Sequence, residues 1–313
     1  MLRNFLIAFC LVLFSFVPAN SRQITNGRVE VAASSGFVFF AVNVSGADFS
    51  ANAGGSNLVG FGSAFAVCAV GLSDCTAGQV INLSAASGQW DFSDVSGNLT
   101  IDGTQYFLVN QVLPKSPSLS GRGSLSFSGG SVMIPFSDAR TTTLKSTFSM
   151  NGFLGGIARD LLFGAGVSLS GSGIATAELT LSDFGGRRTY VLHSLIYRFG
   201  FQTGVDIKPG DDSNDINLRS RGKTPVAILS TTTFDAGTIN PLTVTVAGAP
   251  VILTPNGTPM SSLEDINGDG LLDLVVHVST AALQPDSDDD CLVEGTTFHG
   301  QYFFGFDTVA LVP

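Results

Sequence analysis

The chain has 313 residues, enough for two domains and a leader, and only 13% of it is charged against 44% hydrophobic. That excludes a charge-rich disordered protein and leaves ample apolar material for cores. The net charge of −10 is unevenly placed: residues 205–313 hold 15 Asp+Glu against 4 Lys+Arg, so the acidity belongs to the last third. Such a surface repels nucleic acid and attracts divalent cations.

Residues 1–19 read as a secretory signal peptide. Arg3 supplies the positive start, Phe5 to Val17 is an uncharged apolar run, and Val17-Pro18-Ala19 places tolerated residues at the −3 and −1 positions, so cleavage is expected after Ala19. The run is short for a membrane span, and no later stretch reaches 18 apolar residues, so a mature chain outside the cytoplasm and without a span is expected. In that oxidising compartment Cys68 and Cys75, with six residues between them, are expected to form a disulfide worth about 2–3 kcal/mol. Cys291 is left over, either a buried thiol or a partner for another molecule. The histidines (His193, His277, His299) are scattered and share no motif with a cysteine, which argues against a zinc or thiol-catalytic site.

Residues 25–203 are built from Gly, Ser, Phe, Val and Leu, a composition of strands punctuated by turns. Val38, Phe40, Val42 and Val44 alternate, as do Ala177, Leu179 and Leu181, and again Tyr190, Leu192, Ser194, Ile196 and Arg198. Leu99 to Val109 reads as a hairpin turning at Asp102-Gly103. Ser118-Leu-Ser-Gly-Arg-Gly123 returns as Ser168-Leu-Ser-Gly-Ser-Gly173, which suggests a repeated strand–turn element. The one helix candidate, Gly155 to Phe163, is short. Many short strands with turn signals predict a sandwich or barrel. Trp90, Tyr106 and Phe107 either stack on a sugar or pack in a core. Asp91, Asp94 and Asp102 are the carboxylates from which a hydrolase would be assembled, but carboxylates beside turns are usually turn formers. In composition this half is similar to Gly/Phe-rich domains of secreted bacterial proteins, a likeness that implies no activity.

A second domain is expected over residues 204–313, so that two β-sandwich-like, all-β domains follow the signal peptide. Its centre is the stretch Asp265-Ile-Asn-Gly-Asp-Gly-Leu-Leu-Asp273. Calcium takes six to eight oxygen ligands. Asp265, Asn267 and Asp269 supply oxygens at positions one, three and five, Gly270 allows the bend at six, Leu271 offers its carbonyl at seven, and Asp273 stands at nine. Position twelve, a bidentate Glu in a helix–loop–helix site, is here Val276, and the β-branched run at 274–278 predicts a strand. The loop therefore resembles the strand-entry calcium loops of adhesin-like extracellular proteins more than a calmodulin-type EF-hand. Missing ligands are sought in Glu264 or in Asp286, Asp288, Asp289 and Asp290; that tract, with Glu294, is also a candidate for a weaker second site. Asp211, Asp212 and Asp215 are further candidates to approach the loop.

The order Ile207-Lys-Pro-Gly210, Ile216-Asn217, Pro225-Val-Ala-Ile-Leu229, Phe234-Asp-Ala236, Thr245-Val246 and then the loop resembles, over about the last 105 residues, a module found near the C-termini of secreted bacterial proteins. The resemblance implies a small calcium-loop β-sandwich at an extracytoplasmic site, with no known enzyme activity. The expected function is therefore a secreted or cell-surface, non-enzymatic protein with structural Ca2+. The alternatives are a carbohydrate-binding or adhesive module for surface or matrix glycans and, third, a hydrolase. Final strands are expected at Thr296–Phe306 and Thr308–Val312, with no membrane-sorting tail after them.

Overall fold

The computed structural model describes residues 22–34, 37–46, 49–56, 58–59, 78, 80–82, 88–92, 97–101, 104–108, 121–129, 131–134, 139–155, 167–184, 187–286 and 290–313. The expected signal segment, Cys68 and Cys75, the helix candidate beyond Gly155, and Asp288 and Asp289 lie outside them. Within them the chain is all-β; its helices are three-residue 3-10 turns such as Ala236–Thr238 and Pro241–Thr243.

Up to Phe199 the strands pair among themselves into one 12-stranded sheet and a small two-stranded one. The centre of the large sheet is antiparallel: Gly121–Ser128, Thr141–Gly155, Val167–Phe184, Arg187–Phe199, Gly27–Ser34, Phe37–Gly46 and Phe49–Ser56 lie side by side. Gly88–Phe92, beyond the first of these, comes back against Phe49–Ser56, so the sheet curls toward closure. Ile101 pairs with Thr104, which makes the expected hairpin connection two residues long. Ser168–Gly173 lies inside the long Val167–Phe184 strand, not at a turn, because its glycines serve packing. A Cβ on Gly173 would stand 1.8 Å from the Arg198 carbonyl oxygen on the neighbouring strand.

Simple alternation fails at the end of this sheet that meets the rest of the chain. Ile174, Ala175, Thr176 and Ala177 are all buried, as are Ile196, Tyr197 and Phe199. One face carries Ala175 paired with Tyr197, whose ring meets Phe148 edge-on at 5.2 Å; burial pushes the Tyr197 phenol far above its ordinary range. The other face carries Ile174, packed on Tyr302 and Phe304. Both faces are therefore covered, one of them by the C-terminal strands.

From Phe201 onward two sheets face each other. One has the order Phe201–Gln202, Tyr302–Thr308, Asp290–Thr296, Thr245–Val246, Ala249–Pro250; the other has Val205–Ile207, Lys223–Ile228, Asp273–Ser279, Ser261–Glu264. Ile207, Val226, Ile228, Val276 and Val278 from one meet Val246, Val293 and Phe303 from the other in a single dry core. Each fully buried aliphatic or aromatic side chain there contributes about 1.5–3 kcal/mol. The expected strand Thr296–Phe306 is instead a hairpin. Thr297 N–H donates to the Gln301 carbonyl, and Gly300 takes a positive φ of 78° at the tip.

The outer face of the five-stranded sheet presents Tyr302, Phe304, Phe306 and Leu292 to the N-terminal sheet. Polar groups close the contact. Asn26 Nδ2 donates to the Tyr302 carbonyl at 2.8 Å, and Tyr302 N–H donates to Asn26 Oδ1 at 2.9 Å. The Tyr302 hydroxyl donates to Glu294 Oε2 at 2.7 Å, and Lys145 pairs with the other Glu294 oxygen. Burial, then the adjacent Glu294 carboxylate, raise the Tyr302 phenol far beyond its ordinary range, so it stays a donor. Removing the Asn26 amide leaves two buried backbone groups without partners. Asn26→Ala is expected to cost about 2–4 kcal/mol in a denaturant melt, with an unchanged far-UV spectrum of the folded form.

Candidate functional site

The Asp265–Asp273 stretch connects two antiparallel strands. Ser261–Glu264 pairs with Asp273–Ser279 in the register Glu264↔Asp273, Leu263↔Leu274, Ser262↔Val275 and Ser261↔Val276. The residues after the loop form a strand because Leu274, Val275, Val276 and Val278 are buried in the sandwich, where β-branched side chains pack well.

Inside the loop the carboxylates turn onto the loop's own backbone. Asp265 Oδ1 accepts the N–H groups of Gly268 at 2.8 Å and Asp269 at 3.1 Å, and its Oδ2 accepts that of Gly270 at 3.0 Å. Asn267 Oδ1 accepts Asp269 N–H at 3.0 Å, Asp269 Oδ1 accepts Leu271 N–H at 2.8 Å, and Asn267 Nδ2 donates to Asp269 Oδ2 at 3.2 Å. Gly268 and Gly270 have φ of 76° and 87°, which is why glycine stands at both positions. Asp265, Asn267 and Asp269 are exposed, and Leu271 is half-buried.

Asp273 differs from the other three. It is 0% exposed. Its Oδ1 accepts Ser230 N–H at 2.8 Å, and its Oδ2 accepts Ile266 N–H at 2.9 Å. Ser230 Oγ donates in turn to the Leu272 carbonyl at 2.6 Å and accepts Ala236 N–H at 2.9 Å. Position nine thus ties the start of the loop, its end and the neighbouring 230–236 turn into one knot. Sequence reasoning missed Ser230, because nothing local marks a serine 43 residues away as a partner.

The donor chemistry fits a hard cation. Every side chain offered is a carboxylate or an amide oxygen. An oxygen that accepts one N–H keeps a lone pair, and that leaves Asp265 Oδ2, Asn267 Oδ1, both oxygens of Asp269, the Leu271 carbonyl and both oxygens of Asp273 with capacity. Calcium would need six to eight such oxygens converging on one point. The carboxylates are, however, spread onto N–H groups. Among the described residues no group of three or more His, Cys, Asp or Glu side chains is gathered for a metal.

The expected extra ligands are placed as follows. Glu264 is exposed beside the loop, accepting from the Ser262 hydroxyl at 2.6 Å. Asp286 and Asp290 stand elsewhere, and the register shows it. Val205 pairs with Ile228, which pairs with Leu274 next to the loop, whereas Ile207 two residues on pairs with Val226, and its N–H donates to Asp307 at 2.7 Å. Asp290 pairs with Thr308, beyond Asp307, so it lies toward the other end of the sandwich. Asp286 is held there, accepting Asp290 N–H at 3.0 Å. Asp211, Asp212 and Asp215 follow Ile207 at that same far end. Glu294 belongs to the contact with Lys145 and Tyr302, not to a metal tract. Trp90 lies in Gly88–Phe92, and Tyr106 and Phe107 lie in Thr104–Leu108, strands that are not sheet neighbours.

The far end is thus an acidic pole. Asp211 accepts from Lys208 Nζ and from Ser213, and these bonds pull its carboxyl down to about 2. Asp206 has no such help. Partial burial first, then the Asp307 and Asp212 carboxylates, raise its pKa above the ordinary value.

No family model and no curated protein matches the chain. Among solved structures it is similar to one from work on host cell surface retention of a 1.5-MDa bacterial ice-binding adhesin, with 12% identity over 76% of this chain and 99% of that one. The TM-score is 0.21, and at that value the likeness carries no argument about fold or function. Among the described residues no helix is long and apolar enough to cross a membrane.

Two measurements test these assignments. Asp273→Ala strands two N–H donors and is expected to cost about 2–5 kcal/mol in chelated buffer, whereas Asp269→Ala on the exposed rim changes stability there by less than about 1 kcal/mol. The fold raises the Asp206 pKa, so it favours the protonated form: the gain is present at acid pH and is lost as pH rises through the folded value. Asp206→Asn is therefore expected to stabilise the fold slightly at neutral pH, by less than about 1 kcal/mol given solvent screening, seen as a small rise in melting temperature, with no gain in acid.

Proposed function

We propose that this chain is a secreted or cell-surface, non-enzymatic protein whose C-terminal sandwich is stabilised by calcium at the Asp265–Asp273 loop. The observation that carries the reading is the loop itself: an all-oxygen donor set on a hairpin connection, with its ninth position anchored in the core. Asp265, Asn267, Asp269, the Leu271 carbonyl and Asp273 would hold the ion, with Glu264 at the rim. Charge neutralisation is what the ion would supply, drawing the exposed carboxylates inward and stiffening the connection between the two strands.

The extracytoplasmic setting is supported by the sequence of residues 1–19 and by the resemblance of residues 205–313 to a module of secreted bacterial proteins. Calcium is plentiful in that setting. An ion that binds only the folded chain stabilises it by RT ln(1+[L]/Kd), about 2.7 kcal/mol at a hundredfold excess over Kd. Thermal melts of the full chain with millimolar calcium and with chelator are expected to differ by several degrees. Titration calorimetry should give one site, and Asp269→Ala should abolish most of the shift. Equal melting temperatures together with no heat of binding would refute the reading.

A further inference from the structure

Asparagine followed by glycine can modify itself. The glycine nitrogen, deprotonated by hydroxide, attacks the asparagine Cγ; the new N–Cγ bond displaces the side-chain nitrogen as ammonia and closes a cyclic imide. Water then adds to either imide carbonyl and opens the ring to aspartate or isoaspartate. The net change is amide plus water to carboxylate plus ammonium, with no redox step. The chain has four such pairs: Asn26-Gly27, Asn151-Gly152, Asn256-Gly257 and Asn267-Gly268.

The fold gives them four different environments. Asn26 is 4% exposed, and both ends of its amide are bonded to the Tyr302 backbone. Asn151 lies within Thr141–Gly155, registered between Ser126 and Ser170, so the ladder holds the backbone extended where imide closure needs it to turn. Asn267 is exposed, yet Asp269 holds both ends of its amide, at 3.0 and 3.2 Å. The attacking Gly268 N–H is itself donated to the Asp265 carboxylate at 2.8 Å, and a negative charge beside that nitrogen opposes its deprotonation. Asn256 stands at the exposed tip of the 254–258 turn, with Leu253 bridged to Pro259 at its neck. There Gly257 N–H meets only the neutral Thr254 carbonyl, at 2.8 Å, and a Cβ on Gly257 would meet nothing within 4 Å. No protein group in the described residues holds the Asn256 amide.

We propose that Asn256 is a self-modifying site, converted by water in the folded protein to aspartate and isoaspartate, and that the fold withholds the other three pairs. The product adds a negative charge to an already acidic unit, and its isoaspartate form lengthens the backbone at the tip of the 254–258 turn.

The test is timed incubation of the full chain in mildly alkaline, chelated buffer, followed by peptide mass mapping with an isoaspartate-specific assay. Chelation keeps the result independent of the calcium reading. Asn256 is expected to convert at least about tenfold faster than Asn26 or Asn267, the protection that a modest local opening energy confers. In denaturant the four rates should converge. Asp269→Ala is expected to speed Asn267 about tenfold while leaving Asn26 as slow as before, and that slow buried site serves as the internal check that the variant is folded. An intact Asn256 in a folded chain whose denatured form reacts, or an Asn267 as fast as Asn256, would overturn the proposal.

Discussion

Taking an ionised carboxylate out of water costs several kcal/mol unless donors replace the lost hydration. Asp273 meets that requirement with two backbone N–H groups from separate segments, Ser230 and Ile266. The loop, the strand that follows it and the 230–236 turn therefore depend on one side chain. Ser230 extends the same knot through its hydroxyl, so the turn cannot move without exposing the carboxylate. Below this foot lies the dry core that Leu274 and Val276 enter; above it lies a rim of exposed Asp and Asn.

Tyr302 does for the contact between the two sheet systems what Asp273 does for the loop. Its backbone is bonded on both sides by Asn26, its hydroxyl by Glu294, and its ring packs with Ile174 and Phe304. A Cβ at Gly200 would lie 2.1 Å from the Tyr302 carbonyl oxygen, so the chain passes too close there for any side chain. The burial of the Ile174 face follows from this contact. The end of the large sheet is completed by strands from the other end of the chain, and that makes the join part of the fold and more than a linker.

Much of this was legible in the sequence where the signal is local. Alternation announced the strands, Asp102-Gly103 announced a hairpin, and the spacing of oxygen-bearing residues with Gly270 announced a loop entering a strand. What stayed hidden depends on partners far along the chain. Nothing near Asn26 marks it as the mate of Tyr302, 276 residues away. The Asp211–Asp215 and Asp286–Asp290 segments look like helpers for the loop on charge alone, but strand register carries both to the opposite pole. The Thr296–Phe306 run reads as one strand because its residues favour strands throughout; only Gly300 hints at the turn that splits it.

The state of the rim also bears on what kind of cation would suit it. Magnesium demands near-ideal octahedral geometry and gives up water reluctantly, whereas calcium accepts irregular shells of six to eight oxygens. Asp265, Asn267 and Asp269 sit on exposed positions interleaved with two glycines of positive φ, an arrangement that would suit the tolerant ion. Their oxygens accept backbone N–H groups of the loop, and an ion would add to those bonds through the remaining lone pairs. Such bonds would lower the ordering cost of binding. The dispersal of the carboxylates limits the gain, because they must still be drawn together against their own repulsion. Under the proposed reading that balance would give an affinity in the range of extracellular calcium modules, about 10⁻⁴–10⁻³ M, which would suit a structural ion and not a sensor.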